Sequence, residues 1–115
     1  MTVLIVDDHP GFRACIRKLL EAEGFEVVGE AGTGAGGLRS ADELQPDLVL
    51  LDVGLPDFDG FEVAARLTRQ GDGPAVVLTS IREDYDLGQL VSDSGARGFI
   101  PKAKLSGAGI AALIA

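Results

Sequence analysis

The sequence predicts an α/β fold built on a parallel β-sheet, and three observations support this prediction. Five short apolar runs alternate with five amphipathic stretches along the 115 residues, the order expected when a helix follows each strand. The runs VLIV, LVLL and AVVL are apolar at every residue, as in central strands that are covered on both faces. The runs EVVGE and GFI are partly polar or very short, which is typical of sheet edges.

The five predicted strands follow the apolar runs. They are Thr2–Val6, Glu26–Glu30, Asp47–Leu51, Ala75–Thr79 and Arg97–Ile100. With the second and fifth strands at the edges, the spatial order is 2-1-3-4-5. This order is the flavodoxin-like arrangement, a doubly wound (βα)5 sheet in which the chain reverses direction between strands 1 and 3 and ligands bind outside the carboxyl ends of the strands.

The five predicted helices carry apolar residues at helical spacing. They are Pro10–Glu23, Gly34–Leu44, Gly60–Arg69, Asp86–Ser94 and Ser106–Ala115. The first begins at Pro10, which suits a first helical turn, and stops at Gly24, while Ser106 is predicted to cap the last. The four glycines between residues 32 and 37 lack the Gly-Lys-Ser/Thr ending of a phosphate-binding loop, so we interpret them as a flexible loop.

Length and composition predict one domain over residues 1–115, with no output module among them. A hydrophobic content of 46% allows a core without disulfides or metal. The single cysteine, Cys15, cannot form an internal disulfide, which favours a reducing, cytoplasmic setting. No apolar run is long enough to span a membrane. The net charge of -8 predicts that the domain by itself repels nucleic acid and anionic membranes and suits a cation or a basic partner.

Three acidic residues are expected at one edge of the sheet. Asp7 and Asp8 come just after strand 1, and Asp52 comes just after strand 3. Two charges about 4 Å apart repel by about 4 kcal/mol at an effective dielectric near 20, so we expect either a retained proton or a bound cation among them. Oxygen ligands suit Mg²⁺, and the backbone carbonyl of Gly54 offers one more.

Two further polar features end at the same edge. Thr79 and Ser80 close strand 4, and Lys102 follows strand 5. Hydroxyl, ammonium and carboxylate groups around a metal form a site for a small tetrahedral anion, as phosphoryl transfer requires, and Asp52 is then the candidate nucleophile that forms an aspartyl phosphate. Taken singly, each feature is more often a helix cap, a turn or a solvated side chain. Phosphoryl transfer is indicated because all these features are expected at the same end of one sheet.

The sequence resembles the receiver domain of bacterial two-component response regulators over nearly the whole chain. Four motifs in order carry the resemblance: VLIVDDHPGFR, LVLLDVGLPDFDGFE, VVLTS and GARGFIPKAKL. The resemblance implies that Asp7 and Asp8 help to bind Mg²⁺, with Asp8 the more direct ligand, and that Gly54 contributes its carbonyl. It also implies that Asp52 accepts a phosphoryl group from a sensor histidine kinase and that Lys102 pairs with the phosphoryl oxygens.

The same resemblance implies a conformational switch. Its hydroxyl falls on Thr79 or Ser80, a choice that the sequence leaves open, and its aromatic residue falls on Phe99. Phosphorylation is then expected to repack the face formed by helix 4, strand 5 and helix 5. A homodimer through that face, or through the helix 1–helix 5 face, is one expected consequence. The KAKL stretch after strand 5 is similar to receivers attached to helix-turn-helix regulators, which implies control of transcription through such an output domain.

Two alternatives stay open on the sequence. Phosphatases that form an aspartyl phosphate also place an acid at the end of a central strand, but they usually carry a second acid two residues later, where this chain has Gly54. The other alternative is a receiver-like interaction module that is never phosphorylated, although the acceptor and its helpers are all present. We therefore expect a switch and not an enzyme. The remaining polar residues near these motifs, His9, Asp57 and Asp59, are expected to have structural or surface roles.

Overall fold

The described strands form a single parallel sheet. A computed structural model gives the fold of the protein and describes residues 1–69, 71–81 and 88–115. Its strands, in chain order, are β1 (Thr2–Val6), β2 (Glu26–Ala31), β3 (Leu48–Asp52), β4 (Ala75–Ser80) and β5 (Gly98–Pro101). The strands are all parallel and lie in the order β2-β1-β3-β4-β5. The predicted doubly wound, flavodoxin-like α/β fold is therefore confirmed.

The described helices alternate with the strands. They are α1 (Pro10–Ala22), α2 (Gly34–Leu44), α3 (Gly60–Thr68), α4 (Gly88–Ser94) and α5 (Gly107–Ile114), and a short 3-10 helix covers Lys102–Lys104. Gly24, with φ +93°, follows the end of α1, and the Ser106 side chain accepts a hydrogen bond from the Gly109 N–H at the start of α5. Both end signals predicted from the sequence are thus confirmed. The predicted fourth helix began at Asp86, which lies outside the described residues.

Several predicted strand boundaries were wrong by one residue. Asp52 is the last residue of β3 and does not lie beyond it, and β2, β4 and β5 also end one residue later than predicted. Asp52 pairs with Thr79 in the β3–β4 register, and the Val53 N–H donates to the Thr79 carbonyl at 3.0 Å. In β3 and β4, the strand continues past its last apolar side chain, because ladder hydrogen bonds join backbone groups whatever the side chains are.

Two apolar layers cover the sheet, one on each face, and alternate residues of the central strands point into them. One layer lies between the sheet and α1 and α5; it contains Val3, Ile5, Leu48, Leu50, Val77, Ile16, Leu20 and Ile110. The other lies between the sheet and α2 and α3; it contains Leu4, Val6, Val49, Leu51, Val76, Leu78, Ala41 and Val63. Burial on both faces explains why the central strands are apolar at every residue. Among the described residues, none of the helices has the length and apolarity needed to cross a membrane.

The glycines between residues 32 and 37 do not form the flexible loop that the sequence suggested. Gly34, Gly36 and Gly37 lie in α2, and the Thr33 side chain caps this helix by accepting a hydrogen bond from the Gly36 N–H. A Cβ atom on Gly37 would lie 2.9 Å from Cγ1 of Val6, which is closer than packed carbon atoms approach. Gly37 therefore allows α2 to lie directly against β1, and tertiary packing overrides the low helix propensity of glycine.

Candidate functional site

The carboxyl edge of the sheet brings the three predicted acids together. Asp7 continues β1 and Asp52 ends β3, and these strands pair in the register Val6 with Leu51. Asp7 is 1% exposed and Asp52 is 4% exposed. One ligand atom each from Asp7, Asp8, Asp52 and His9 lies within 4.8 Å of the others. Like charges at this spacing repel strongly when they are shielded from water, so the cluster favours a cation.

Lys102 supplies positive charge inside the cluster. It follows β5, and its Nζ atom lies 2.6 Å from Oδ2 of Asp7 and 3.3 Å from Oδ2 of Asp52. The same ammonium lies 4.3 Å from the centroid of the Phe12 ring, which belongs to α1. A cation over an aromatic face is attracted to the ring, so Phe12 helps to hold the lysine against the carboxylates. Sequence reasoning missed this role of Phe12, because an apolar residue on a helix stripe signals only core packing.

Burial raises the pKa of Asp52. The Gly54 N–H, which donates to Oδ1 at 3.0 Å, and the Lys102 ammonium both act to lower that pKa, while the charge of Asp7 raises it further. Because the raising effects prevail, the ionised form of Asp52 is less stable here than in water. Lys102 therefore does not fully offset the cost of burying the charge of Asp52.

Asp8 and His9 form the more exposed side of the cluster. Nδ1 of His9 lies 3.0 Å from Oδ1 of Asp8 and 3.3 Å from Oδ1 of Asp7, so the predicted structural role of His9 includes contact with both acids. Oδ2 of Asp7 and Oδ1 of Asp8 are buried, and neither accepts a well-oriented hydrogen bond from the described residues. Among the described residues, Nζ of Lys102 lies close to the first of these oxygens and Nδ1 of His9 lies close to the second. Buried carboxylate oxygens in this condition fit a hard, oxygen-seeking cation such as Mg²⁺.

The two candidate hydroxyls point to opposite faces of the sheet. The Thr79 hydroxyl donates to the Ile100 carbonyl at 2.7 Å. Ser80 lines a cavity of about 440 Å³ together with Asp52, Gly54, Lys102 and other residues. Side chains alternate along a strand, so Ser80 shares its face with Leu78. Phe99, which is half-buried, packs against the apolar layer on that same face.

Arg13 is a further residue near the site that sequence reasoning missed. Its Nη1 atom donates to the Asp7 carbonyl at 2.5 Å, and its Nε donates to Glu30 at 3.1 Å. The arginine thereby ties α1 to the ends of β1 and β2. A charged residue on the first turns of a helix carries no sequence signal for these contacts, because one partner is a backbone atom that any residue provides and the other, Glu30, is 17 residues away in the sequence.

Comparison with known proteins agrees with this geometry. The family model described as the response regulator receiver domain matches residues 3–113. The transcription regulator BvgA of Bordetella pertussis is 45% identical over 100 residues, which cover 87% of this chain and 48% of BvgA. The DNA-binding transcriptional activator EvgA of Escherichia coli K12 is 32% identical over 102 residues, which cover 89% of this chain and 50% of EvgA. The chain thus spans about half the length of these curated relatives.

Solved structures of related proteins have the same fold. The receiver domain of a NarL response regulator from Mycobacterium tuberculosis superposes with a TM-score of 0.84 at 33% identity, covering 98% of this chain and 95% of that chain. A LuxR-family two-component response regulator from Aurantimonas sp. superposes with a TM-score of 0.86 at 27% identity, covering 98% and 84%. With a carboxylate cluster at the carboxyl edge of a 2-1-3-4-5 sheet, and with these likenesses in sequence and structure, the chain belongs to the response regulator receiver domain family.

Proposed function

We propose that this domain is a phosphorylation-controlled switch and that Asp52 is its phosphoryl acceptor. A carboxylate oxygen of Asp52 attacks the phosphorus of a phosphohistidine on a sensor histidine kinase. The new P–O bond forms as the P–N bond breaks, and the imidazole leaves with the electron pair. The observation that carries this proposal is the position of Asp52, which ends a buried strand, lines a cavity and has Lys102 3.3 Å from one of its oxygens.

The carboxylates of Asp7, Asp8 and Asp52, with the carbonyl of Gly54, would hold Mg²⁺. When bound, Mg²⁺ supplies positive charge that stabilises the oxygens of the transferred phosphoryl group. Lys102 adds a second, fixed positive charge, since its ammonium already lies between Asp7 and Asp52. Donors held in place before the reaction lower the barrier more than donors that must reorganise.

Ser80 is the switch hydroxyl in this proposal. Its position in the wall of the cavity with Asp52 and on the face occupied by Phe99 supports the assignment. The Thr79 hydroxyl bonds the Ile100 carbonyl instead. Phosphorylation of Asp52 draws the Ser80 hydroxyl toward the phosphoryl oxygens and shifts the population toward a state in which Phe99 turns inward and the α4–β5–α5 face repacks.

The output of the switch lies in a larger protein. The relatives are named as transcription regulators, and one structural neighbour is a LuxR-family regulator, which supports control of transcription through an attached helix-turn-helix domain. Phosphorylation then promotes a homodimer through the α4–β5–α5 face or the α1–α5 face. The net charge of -8 supports a receiver that leaves contact with nucleic acid to that output domain.

Phosphorylation by a small acyl phosphate tests the acceptor directly. The domain is incubated with acetyl phosphate and Mg²⁺, and intact mass is measured. We expect the wild type to gain one phosphoryl group, Asp52→Asn to gain none because an amide is a poor nucleophile, and Asp47→Asn, at the other end of the same strand, to behave as the wild type. The proposal fails if the wild type gains no phosphoryl group or if Asp52→Asn gains as much.

A second measurement tests the choice of hydroxyl. NMR signals around Phe99 are followed on addition of beryllofluoride and Mg²⁺, which together mimic the phosphoaspartate. Ser80→Ala should abolish the response at Phe99, whereas Thr79→Val should keep it. The opposite result would move the switch role to Thr79.

A further inference from the structure

We infer that Asp57 is a positioning residue, which holds the loop between β3 and α3 against the N-terminus of α2 and so fixes the backbone of Gly54. The inference rests on the proposed function, in which the Gly54 carbonyl is a metal ligand. It adds a role for Asp57, which the sequence alone suggests to be a surface turn residue.

The Asp57 carboxylate bridges two elements that are distant in the sequence. Its Oδ1 accepts a hydrogen bond from the Gly34 N–H at 2.7 Å, and its Oδ2 accepts one from the Ala35 N–H at 3.0 Å. Both N–H groups belong to the first turn of α2, where backbone donors have no partner within the helix and where the helix dipole favours a negative charge. These hydrogen bonds lower the pKa of Asp57 from its ordinary value.

A neighbouring aromatic contact strengthens the same attachment. Phe58 packs directly on Gly34, since a Cβ atom at Gly34 would lie 2.9 Å from Cδ2 of the ring. The Arg66 guanidinium lies over the same ring, 5.0 Å from its centroid, in a cation–π contact. The absence of a side chain at Gly34 thus creates the space that Phe58 fills, and two consecutive loop residues contact the start of α2.

The loop between β3 and α3, which Asp57 anchors, begins directly after Asp52. At its start, the Gly54 N–H donates to Oδ1 of Asp52 at 3.0 Å. At its end, Asp59 caps α3 by accepting from the Phe61 N–H at 2.8 Å. Gly54 is exposed and has no side chain with which to pack, so the position of its carbonyl depends on how the rest of the loop is held. Preorganised ligands bind a metal better than ligands that must be ordered on binding.

A matched pair of variants separates positioning of the loop from simple stabilisation of α2. Asp57→Ala removes the cap that comes from the loop. Thr33→Ala removes the helix's own cap, in which Oγ1 of Thr33 accepts from the Gly36 N–H at 3.0 Å. Both changes weaken the same helix end, but Asp57→Ala alone releases the loop. Asp57→Asn keeps one oxygen acceptor and serves as the conservative variant.

The readouts are the Mg²⁺ dissociation constant and the NMR signal and hydrogen exchange of the Gly54 amide, all at a temperature where each variant is folded. We expect Asp57→Ala to raise the Mg²⁺ dissociation constant by about tenfold, the lower end of the effect of residues that orient metal ligands. Thr33→Ala should change it by less than about twofold, and Asp57→Asn should fall between the wild type and Asp57→Ala.

Each failure of the experiment has a distinct meaning. Equal effects of Asp57→Ala and Thr33→Ala, or no effect of Asp57→Ala, would overturn the positioning role. If the wild type itself does not bind Mg²⁺, the proposed function fails instead. The role of Asp57 is then decided without metal: faster exchange of the Gly54 amide in Asp57→Ala but not in Thr33→Ala supports it, and equal exchange refutes it.

Discussion

Two aspartates at opposite ends of β3 have opposite electrostatic environments. Asp47, just before the strand, is exposed, and its Oδ2 accepts from the Thr2 N–H at 2.9 Å and from the Thr2 hydroxyl at 3.1 Å. The Thr2 backbone and side-chain hydrogen bonds lower the pKa of Asp47. Asp52, the last residue of the strand, is buried beside Asp7, and burial raises its pKa.

The contrast separates a carboxylate whose charge stabilises the fold from one whose charge is disfavoured by burial. At the amino end of β3, the ionised carboxylate is solvated and bound by neutral donors, so its charge favours the folded state. At the carboxyl end, burial raises the pKa of Asp52, so ionisation of that carboxyl group opposes folding. A buried carboxylate with a raised pKa beside further acids fits the proposed binding site for a cation and a phosphoryl group.

Removing Lys102 should give the largest change in stability. Lys102→Met leaves Asp7 and Asp52 without the ammonium that lies between them, so we expect the free energy of unfolding to fall by about 2–3 kcal/mol at neutral pH without divalent cations. Urea denaturation in the presence of a chelator measures this change. Lys104→Met is the matched control, since Lys104 is exposed in the same 3-10 helix. Equal stabilities of the two variants would show that the carboxyl-edge acids are not electrostatically strained.

Binding of a divalent cation should offset the repulsion among the acids at the carboxyl edge. Because Mg²⁺ binds the folded state, a free concentration ten times the dissociation constant should raise the free energy of unfolding of the wild type by about 1.4 kcal/mol. Asp47→Asn should respond equally, while Asp52→Asn should respond less at the same concentration. Thermal or urea unfolding with and without Mg²⁺ measures the difference. An equal response of Asp52→Asn would remove Asp52 from the ligand set.

Neutralising Asp52 should stabilise the domain in the absence of metal. The pKa of Asp52 is raised above its ordinary value of 3.8, so folding favours the protonated carboxyl group. The wild type therefore loses stability as pH rises from the ordinary pKa through the pKa of the folded state. We therefore expect Asp52→Asn to exceed the wild type by about 1 kcal/mol at pH 7 and to lose this advantage below about pH 4. Urea unfolding with a chelator at several pH values measures this advantage. If burial of the charge were unimportant, the difference in free energy of unfolding between Asp52→Asn and the wild type would not change with pH.

Neutralising Asp47 should have the opposite sign and the smallest size. Its pKa is lowered in the folded state, so its stabilisation is present at pH values above 3.8 and is lost as pH falls through the folded value. Asp47→Asn keeps an oxygen that can accept from Thr2, so we expect the midpoint of thermal unfolding to fall by only about 1–2 °C at pH 7. The difference from the wild type should vanish in acid. A midpoint of thermal unfolding for Asp47→Asn above that of the wild type would contradict the contrast between Asp47 and Asp52.

Some properties of this protein are determined by the sequence alone. Apolar runs report which strands are buried on both faces, so the order of the sheet could be predicted from residue types. That order brings the ends of β1 and β3 to one edge, and Asp7, Asp8 and Asp52 follow without knowledge of any contact. Such predictions succeed because they depend on burial and period, which are local properties of the chain.

Other properties were decided by the tertiary structure. The sheet faces that the Thr79 and Ser80 side chains meet, on which the proposed choice of hydroxyl depends, follow from the position of each residue in β4, and a shift of one residue would exchange them. The bridge from Asp57 to Gly34 spans 23 residues, and the approach of Gly37 to Val6 joins a helix to a strand. Contacts of this kind arise only when separate elements pack, and packing depends on the shapes of all the neighbours and not on the period of any one segment.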